Sequence, residues 1–196
     1  MPTVLPTARP NDFGRRQCIE IYGHVLRRLG LVDAQPEEVF DRFSRLVRLA
    51  LRVPVALVTF IDEPERRQYF KSQVGLSGPW AVKRQTPLTH SFCQIVKREN
   101  APLVVHYAPE DMRVCHNLAL PDLGVRAYLG VPIHDWTGAP LGALAAIDTR
   151  RNNWQPEHVS FMEGMAACVS DQIKLRYSEA LLNGHILGAE AQSNRA

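Results

Sequence analysis

The sequence contains no long hydrophobic run, and this absence excludes a membrane-spanning helix. Of its 196 residues 45% are hydrophobic, yet no apolar stretch approaches the roughly 20 residues that a helix needs to cross a bilayer. The first residues also lack the apolar segment of a secretory signal peptide. We therefore expect a protein with no membrane partner.

Concentrated charge is also missing. The net charge is +3, and the basic residues come as scattered doublets such as Arg15-Arg16 and Lys97-Arg98. A nucleic-acid-binding surface needs a basic patch or stripe, so we expect no nucleic-acid partner.

Cysteine is scarce, and none of it forms a CxxC motif. The four cysteines are Cys18, Cys93, Cys115 and Cys168. Scattered cysteines of this kind predict a reduced, cytoplasmic protein rather than a disulfide framework.

The strongest pattern present lies in residues 125–148, which predict two paired strands. Val125, Ala127, Leu129, Val131 and Ile133 alternate with polar or small residues, as in a half-buried strand. The return strand, 141–147, is apolar on both faces, so we place it centrally in a sheet. Its glycine and alanines leave room for a close neighbour.

The rest of the chain divides into helices, strands and two loops. We predict helices over 12–29, from Pro36 to about residue 50, over 91–98 and over 156–182, and strands over 55–61, 68–74 and 103–105. Residues 75–87 and 106–124 are predicted as loops, the second long enough to cover a binding site. Because strand pairs are close in sequence, antiparallel pairing and an α+β fold follow. The expected organisation is a disordered leader (1–11), an N-terminal helix (12–30), one domain (31–182) and a flexible tail (183–196).

Four segments, in order, resemble the GAF family of small-molecule sensor domains. They are EVFDRFSRLVRLALRVPVALVTFID, PLTHSFCQIVKRENAPLVV, APEDMRVCHNLALPDLGVRAYLGVPI and GAPLGALAAIDTRRNNWQPEHVSFMEGMA. The resemblance spans about residues 20–178. It implies a GAF/PAS-like, six-stranded antiparallel sheet, with the N- and C-terminal helices on one face and a ligand-covering lid on the other. Members of the family bind cyclic nucleotides, bilins or haem, or reduce free methionine sulfoxide, so the fold leaves the function open.

We expect a stand-alone sensory domain without catalysis of its own. It would bind an unidentified small molecule or a signalling protein, and its cofactor, if any, is unknown. Arg126 and Tyr128 are expected to point from their strand towards the cavity. The predicted ligand-binding residues are Phe70, His90, Phe92, Cys93, Asp111, Cys115, His116, Arg126 and Tyr128.

Several of these residues allow other interpretations. Cys93 and Cys115 resemble the redox pair of a free methionine sulfoxide reductase, although two small buried residues are the simpler interpretation. Cys115-His116 resembles a bilin attachment site, but the other signature residues are missing. His90, Cys93, Cys115 and His116 are zinc-type ligands, yet nothing in the sequence pairs them, so no metal site is predicted. Asp111 more simply caps its own turn.

The terminal helices predict a homodimer. The apolar stripe of 12–29 precedes the domain, and the last helix, about 40 Å long, should project beyond the sheet with Leu181 and Leu182 exposed. Exposed apolar stripes usually meet a partner, most often across a two-fold axis. A domain that has lost its ligand and serves only in dimerisation is therefore a further alternative.

Overall fold

The computed structural model describes residues 11–184, with side chains from Glu20 onward. The expected leader, except Asn11, and the expected tail beyond Gly184 lie outside the described residues. Within them no helix is both long and apolar enough to cross a bilayer. The helices are α1 (Asn11–Arg28), α2 (Glu38–Leu51), α3 (Gly78–Lys83), α4 (Cys93–Glu99), α5 (Ala119–Leu123) and α6 (Pro156–Leu182).

One antiparallel sheet of six strands forms the centre of the fold. Its strands are β1 (Val55–Asp62), β2 (Arg67–Val74), β3 (Gln85–Pro87), β4 (Leu103–Val105), β5 (Ala127–His134) and β6 (Pro140–Asp148). Their order across the sheet is β3-β2-β1-β6-β5-β4. The predicted α+β class, the six strands and the central position of the 141–147 strand are confirmed.

One face of the sheet carries α2 and α6. In α6 the buried residues Met162, Ala166, Val169 and Ile173 recur every three or four positions, which is the spacing of one helix face. They pack in one apolar cluster with alternate residues of β5, among them Leu129. The strand and helix periodicities seen in the sequence are therefore those of this layer.

The second half of α1 packs on the same chain, which corrects that part of the expected unpartnered stripe, whereas the side chains of residues 12–19 lie outside the described ones. Leu26 and Leu29 are buried in the main core. Trp136, in the turn between β5 and β6, stacks on Tyr22 of α1 and Tyr177 of α6, with ring centroids 5.6 and 4.5 Å away. The sequence did not reveal this surface because a turn and a helix end, distant in sequence, build it together. Leu182 is exposed as expected, whereas Leu181 is half-buried.

The small residues of β6 admit the neighbouring strand. A Cβ atom on Gly142 would lie 1.9 Å from the carbonyl oxygen of Thr59 in β1. Only glycine lets the two central strands approach this closely. The room expected beside this strand is therefore filled by backbone.

The other face carries the short elements, four of which lie in segments predicted as loops. Residues 75–87 contain α3 and β3. Pro79 suits the first turn of α3. Strand β3 escaped the prediction because three residues are too few to show an alternation. The lid, residues 106–124, contains a 3-10 turn at Ala108–Glu110 and the single-turn helix α5.

A buried lysine connects the sheet to the terminal helices. In β2 the pairing with β1 jumps from Ser72 to Phe70, so Lys71 is the extra residue of a β-bulge. Its fully buried ammonium donates to the carbonyl oxygen of Gly30 at 2.5 Å and pairs with Glu37. Arg176 of α6 also donates to Glu37, at 3.0 Å. Arg176 and Lys71 together lower the pKa of Glu37 to about 2.

Replacement of Glu37 by glutamine should destabilise the protein in a pH-dependent way. The Lys71 ammonium would stay buried without its counter-charge, which should lower the free energy of unfolding at pH 7 by about 2 to 3 kcal/mol. Because the folded-state pKa of Glu37 is lowered, its contribution is complete above the unfolded pKa and is lost as pH falls from about 5 towards 2. Urea denaturation across this range measures both effects.

The matched control is Glu63→Gln, which removes the half-exposed partner of Lys97. A surface pair of this kind should contribute less than about 1 kcal/mol. Equal effects of the two substitutions, or a Glu37→Gln deficit that persists at pH 2, would contradict a structural role for the buried pair.

Candidate functional site

A cavity lies on the sheet face opposite α2 and α6. The space that the centre of a water molecule can occupy inside it is about 40 Å³, which is room for a few water molecules. Strands β1, β2, β5 and β6 form its floor, and α4, α5 and the residues around β3 cover it. The lining residues are Val55, Leu57, Gln68, Phe70, Leu76, Thr86, His90, Phe92, Cys93, Ala119, Leu123, Val125, Tyr128, Ile147 and Thr149.

Five of the nine predicted ligand-binding residues line this cavity. They are Phe70, His90, Phe92, Cys93 and Tyr128. Their position on the face away from the terminal helices is confirmed, and their role in binding stays a prediction.

Tyr128 and Cys93 meet at the centre of the site. The Tyr128 hydroxyl lies 3.2 Å from the Cys93 sulfur, and the Phe92 ring packs 5.2 Å from the Tyr128 ring. The tyrosine can fold along its own strand because residue 130 is glycine: a Cβ atom there would lie 2.1 Å from the Tyr128 hydroxyl. Because Gly130 has no side chain, the Tyr128 phenol can occupy that space and lie beside the Cys93 thiol.

Burial keeps both groups protonated. Desolvation raises the pKa of the Cys93 thiol, and hydrogen bonds from Thr59, Tyr128 and Gln68 oppose that rise without reversing it. Burial, together with the neighbouring Cys93, raises the pKa of Tyr128 well above its ordinary value. A nucleophilic cysteine needs a stabilised thiolate, so this environment is that of a structural or binding thiol.

Polar contacts hold the lid closed against the segment that precedes α4. His90 Nε2 lies 2.9 Å from the Asp122 carboxylate, and the Leu118 amide donates to the Thr89 carbonyl oxygen at 3.2 Å. The side-chain amide of Asn117 donates to the carbonyl oxygen of Ser91. These contacts can break singly in water at little cost, so the lid is the natural route into the cavity.

The other four predicted residues lie outside the cavity. Asp111 accepts from the backbone and guanidinium of Arg113, which lowers the pKa of the carboxyl, so the pair closes its own turn. Arg126 precedes β5 rather than lying on its cavity face, and its guanidinium donates to the carbonyl oxygen of Leu120 at 3.2 Å. Cys115 is half-buried in the lid, and His116 is exposed. The alternation assumed for β5 fails at Arg126 because the strand begins one residue later.

Two lining residues escaped the sequence reasoning. Gln68 and Thr86 are 4% and 1% exposed, and Gln68 Oε1 and Thr86 Oγ1 have no hydrogen-bond partner. A polar residue in a strand ordinarily indicates a solvent-facing position, and no pattern in the sequence distinguishes these two from that case.

Among residues 11–184 no three histidine, cysteine or acidic side chains stand close enough together to hold a metal ion. The zinc-type residues of the sequence are divided between the cavity and the outside of the lid.

Comparison with known proteins identifies the fold. The GAF domain model matches residues 35–173. The chain belongs to the GAF domain family. The match covers β1 to β6, all of α2, α6 as far as Ile173 and the whole cavity.

Solved GAF domains share the architecture. The PixJ GAF domain of Thermosynechococcus elongatus, in its blue-light-absorbing form, superposes with a TM-score of 0.59 at 17% identity, covering 91% of this chain and 96% of that one. The GAF domain of an Acinetobacter phosphoenolpyruvate-protein phosphotransferase gives 0.56 at 15% identity, covering 85% and 96%. A free methionine-R-sulfoxide reductase from Thermoplasma acidophilum gives 0.54 at 9%, covering 68% and 88%. At these identities the likeness concerns the fold alone.

A curated protein shares part of its sequence with this GAF domain. A cyclic di-GMP phosphodiesterase from Pseudomonas aeruginosa is 29% identical over 147 residues. The match covers 74% of this chain but only 24% of that protein, so the chain spans about a quarter of its relative's length.

The Cys93 thiol should resist alkylation in the folded protein. We expect iodoacetamide to modify Cys168, which is exposed on α6, at least about a hundredfold faster than Cys93, because Cys93 is both buried and protonated. Peptide mass mapping over time at pH 7.5 measures both rates.

Tyr128→Phe serves as the control, since it removes a hydrogen bond that opposes the raised pKa of Cys93 and so should not activate the thiol. Labelling of Cys93 as fast as that of Cys168 in the native protein would contradict the assignment and favour the redox alternative.

Proposed function

We propose that this GAF domain is a small-molecule sensor whose ligand enters the cavity over β1, β2, β5 and β6. The observation that carries the proposal is the pair of unpartnered oxygens, on Gln68 and Thr86, in a mostly apolar cavity. Buried polar groups are nearly always hydrogen-bonded. A ligand that pairs with these two would stabilise the domain when it binds.

The sheet offers a short route from the cavity to α6. Phe70 lines the cavity, and the next residue, Lys71, binds Glu37 on the opposite face, where Arg176 of α6 also binds. On β5 the amide of His134 donates to the Ser170 hydroxyl of α6 at 3.0 Å. A ligand that shifts β2 or β5 would therefore change how α6 packs on the sheet, and this change in packing is the signal that we propose.

The output that we propose is control of a signalling protein, either a further segment of the same polypeptide or a partner. The relative named for cyclic di-GMP phosphodiesterase activity supports turnover of that messenger as the controlled reaction. In this proposal the domain itself catalyses nothing and works in the cytoplasm. The raised pKa of Cys93 and the position of Cys115 outside the cavity give the reductase alternative no support.

Native mass spectrometry tests the sensor role. The purified protein, incubated with a metabolite extract, should show a mass above its 22.1 kDa that disappears on denaturation. Ala119→Phe, which fills the cavity from α5, should abolish the added mass. Ala101→Phe makes the same change at an exposed position outside the cavity and should leave it intact. Retention by the Ala119→Phe variant, or no adduct from any extract, would refute the proposal.

We also propose that the domain forms a homodimer through α6. The surface that we assign to the partner is the outer side of α6, where Leu175 and Leu182 are 52% and 87% exposed. Parallel pairing there would bring two output helices together.

Light scattering should give twice the chain's mass of 22.1 kDa, and the double variant Leu175→Glu/Leu182→Glu should be monomeric because it places charge in an apolar contact. Val82→Glu is the control, since Val82 is equally exposed but lies on α3. A monomeric wild type at micromolar concentration would rule the dimer out.

A further inference from the structure

The two unpartnered oxygens of the cavity belong to residues that are direct neighbours in the sheet. Gln68 of β2 and Thr86 of β3 are paired across the two strands, so their Cβ atoms lie within about 5.5 Å of each other. Both side chains are more than nine-tenths buried, and both line the cavity. Gln68 Oε1 can only accept a hydrogen bond, whereas the Thr86 hydroxyl can donate or accept. Together they match a group that carries a donor and an acceptor side by side.

The cavity contains no charge to neutralise a charged ligand. None of its lining residues is Asp, Glu, Lys or Arg. Its one histidine, His90, has both ring nitrogens engaged, at 3.0 Å from the Thr89 hydroxyl and 2.9 Å from Asp122. A buried charge without a partner is strongly unfavourable. The enclosure therefore selects against anions and cations alike, including phosphate-bearing ligands.

The remaining walls are mostly apolar and close together. Leu57, Phe70, Leu76, Phe92 and Ile147 supply carbon surface, and the space of about 40 Å³ suits only a compact molecule while the lid is closed. A larger ligand would have to move α5 and break the contact between His90 and Asp122.

We propose that this site takes a compact, uncharged ligand with an apolar body and a planar donor–acceptor group of the primary amide type. The ligand N–H donates to Gln68 Oε1, its carbonyl oxygen accepts from the Thr86 hydroxyl, and its apolar part packs against Phe70 and Phe92. This assignment rests on the proposed sensor function and specifies its ligand class.

Three probes of the same shape and heavy-atom count separate the contributions. Isobutyramide carries the donor and the acceptor, isopropyl methyl ketone carries only the acceptor, and isobutyrate carries a charge. Titrations followed by amide chemical shifts of the 15N-labelled protein at pH 7 measure affinities in the millimolar range expected for such small ligands. We expect isobutyramide to shift β2 and β3 amides and to bind about tenfold tighter than the ketone, with isobutyrate the weakest.

Variants test the two oxygens separately. Gln68→Met and Thr86→Val keep the side-chain shape. Gln68→Met should reduce the affinity for isobutyramide to that for the ketone and leave ketone binding unchanged. Thr86→Val should weaken both probes, because the carbonyl oxygen of each accepts from the Thr86 hydroxyl. Gln73→Met is the matched control: Gln73 lies on the same strand and also has a buried, unpartnered Oε1, but it does not line the cavity. The spectrum of each variant without probe reports whether it is folded.

The outcomes separate this inference from the function on which it rests. If isobutyrate binds as tightly as isobutyramide, the claim that the ligand is uncharged is wrong. If the ketone and the amide bind equally, the claim that Gln68 and Thr86 bind a donor–acceptor group is wrong. In both cases a small-molecule site would remain. A failure of all three probes to shift any cavity amide would overturn the inference, and if the metabolite extract also left no adduct, the sensor function would fall with it.

Discussion

The buried ammonium of Lys71 sets the relative positions of four parts of the fold. An unpaired charge in the interior is strongly unfavourable, so its partners must be in place whenever the domain is folded. One partner is the carbonyl oxygen of Gly30, which follows α1, and another is Glu37, which precedes α2 and also binds Arg176 of α6. Apolar packing alone would let helices slide over a sheet. The charge requires one arrangement.

The β-bulge at Lys71 gives β2 two functions in consecutive residues. Before the bulge, Gln68 and Phe70 face the cavity; at the bulge, Lys71 faces the helices, and Ser72 after it binds Ser44 of α2. Without the extra residue the alternation would turn Ser72 towards the other face. The proposed ligand site and the proposed route to α6 are thus adjacent along one strand, β2.

The sequence predicts those features that repeat. The alternation through Leu129 and Val131 and the stripe through Met162 and Val169 gave the sheet and the packed helix, because many residues contribute to each pattern. Features that rest on one or a few residues were missed. Strand β3 is three residues long, and the fully buried Lys71 resembles any polar strand residue. Among the residues that line the cavity, the aromatic ones and Cys93 were predicted, whereas Gln68 and Thr86 were not, since only the covering elements bury them.

The sheet ends in two very short edges, and this limits how the domain can associate. The outermost strands, β3 and β4, are three residues each, and β3 ends at Pro87, which has no N–H to offer. Long, flat edges are the usual templates for strand addition, domain swapping and fibre growth. Neither end of this sheet provides one. Strand addition at either end is thereby disfavoured, so a neighbouring copy finds little edge on which to continue this sheet.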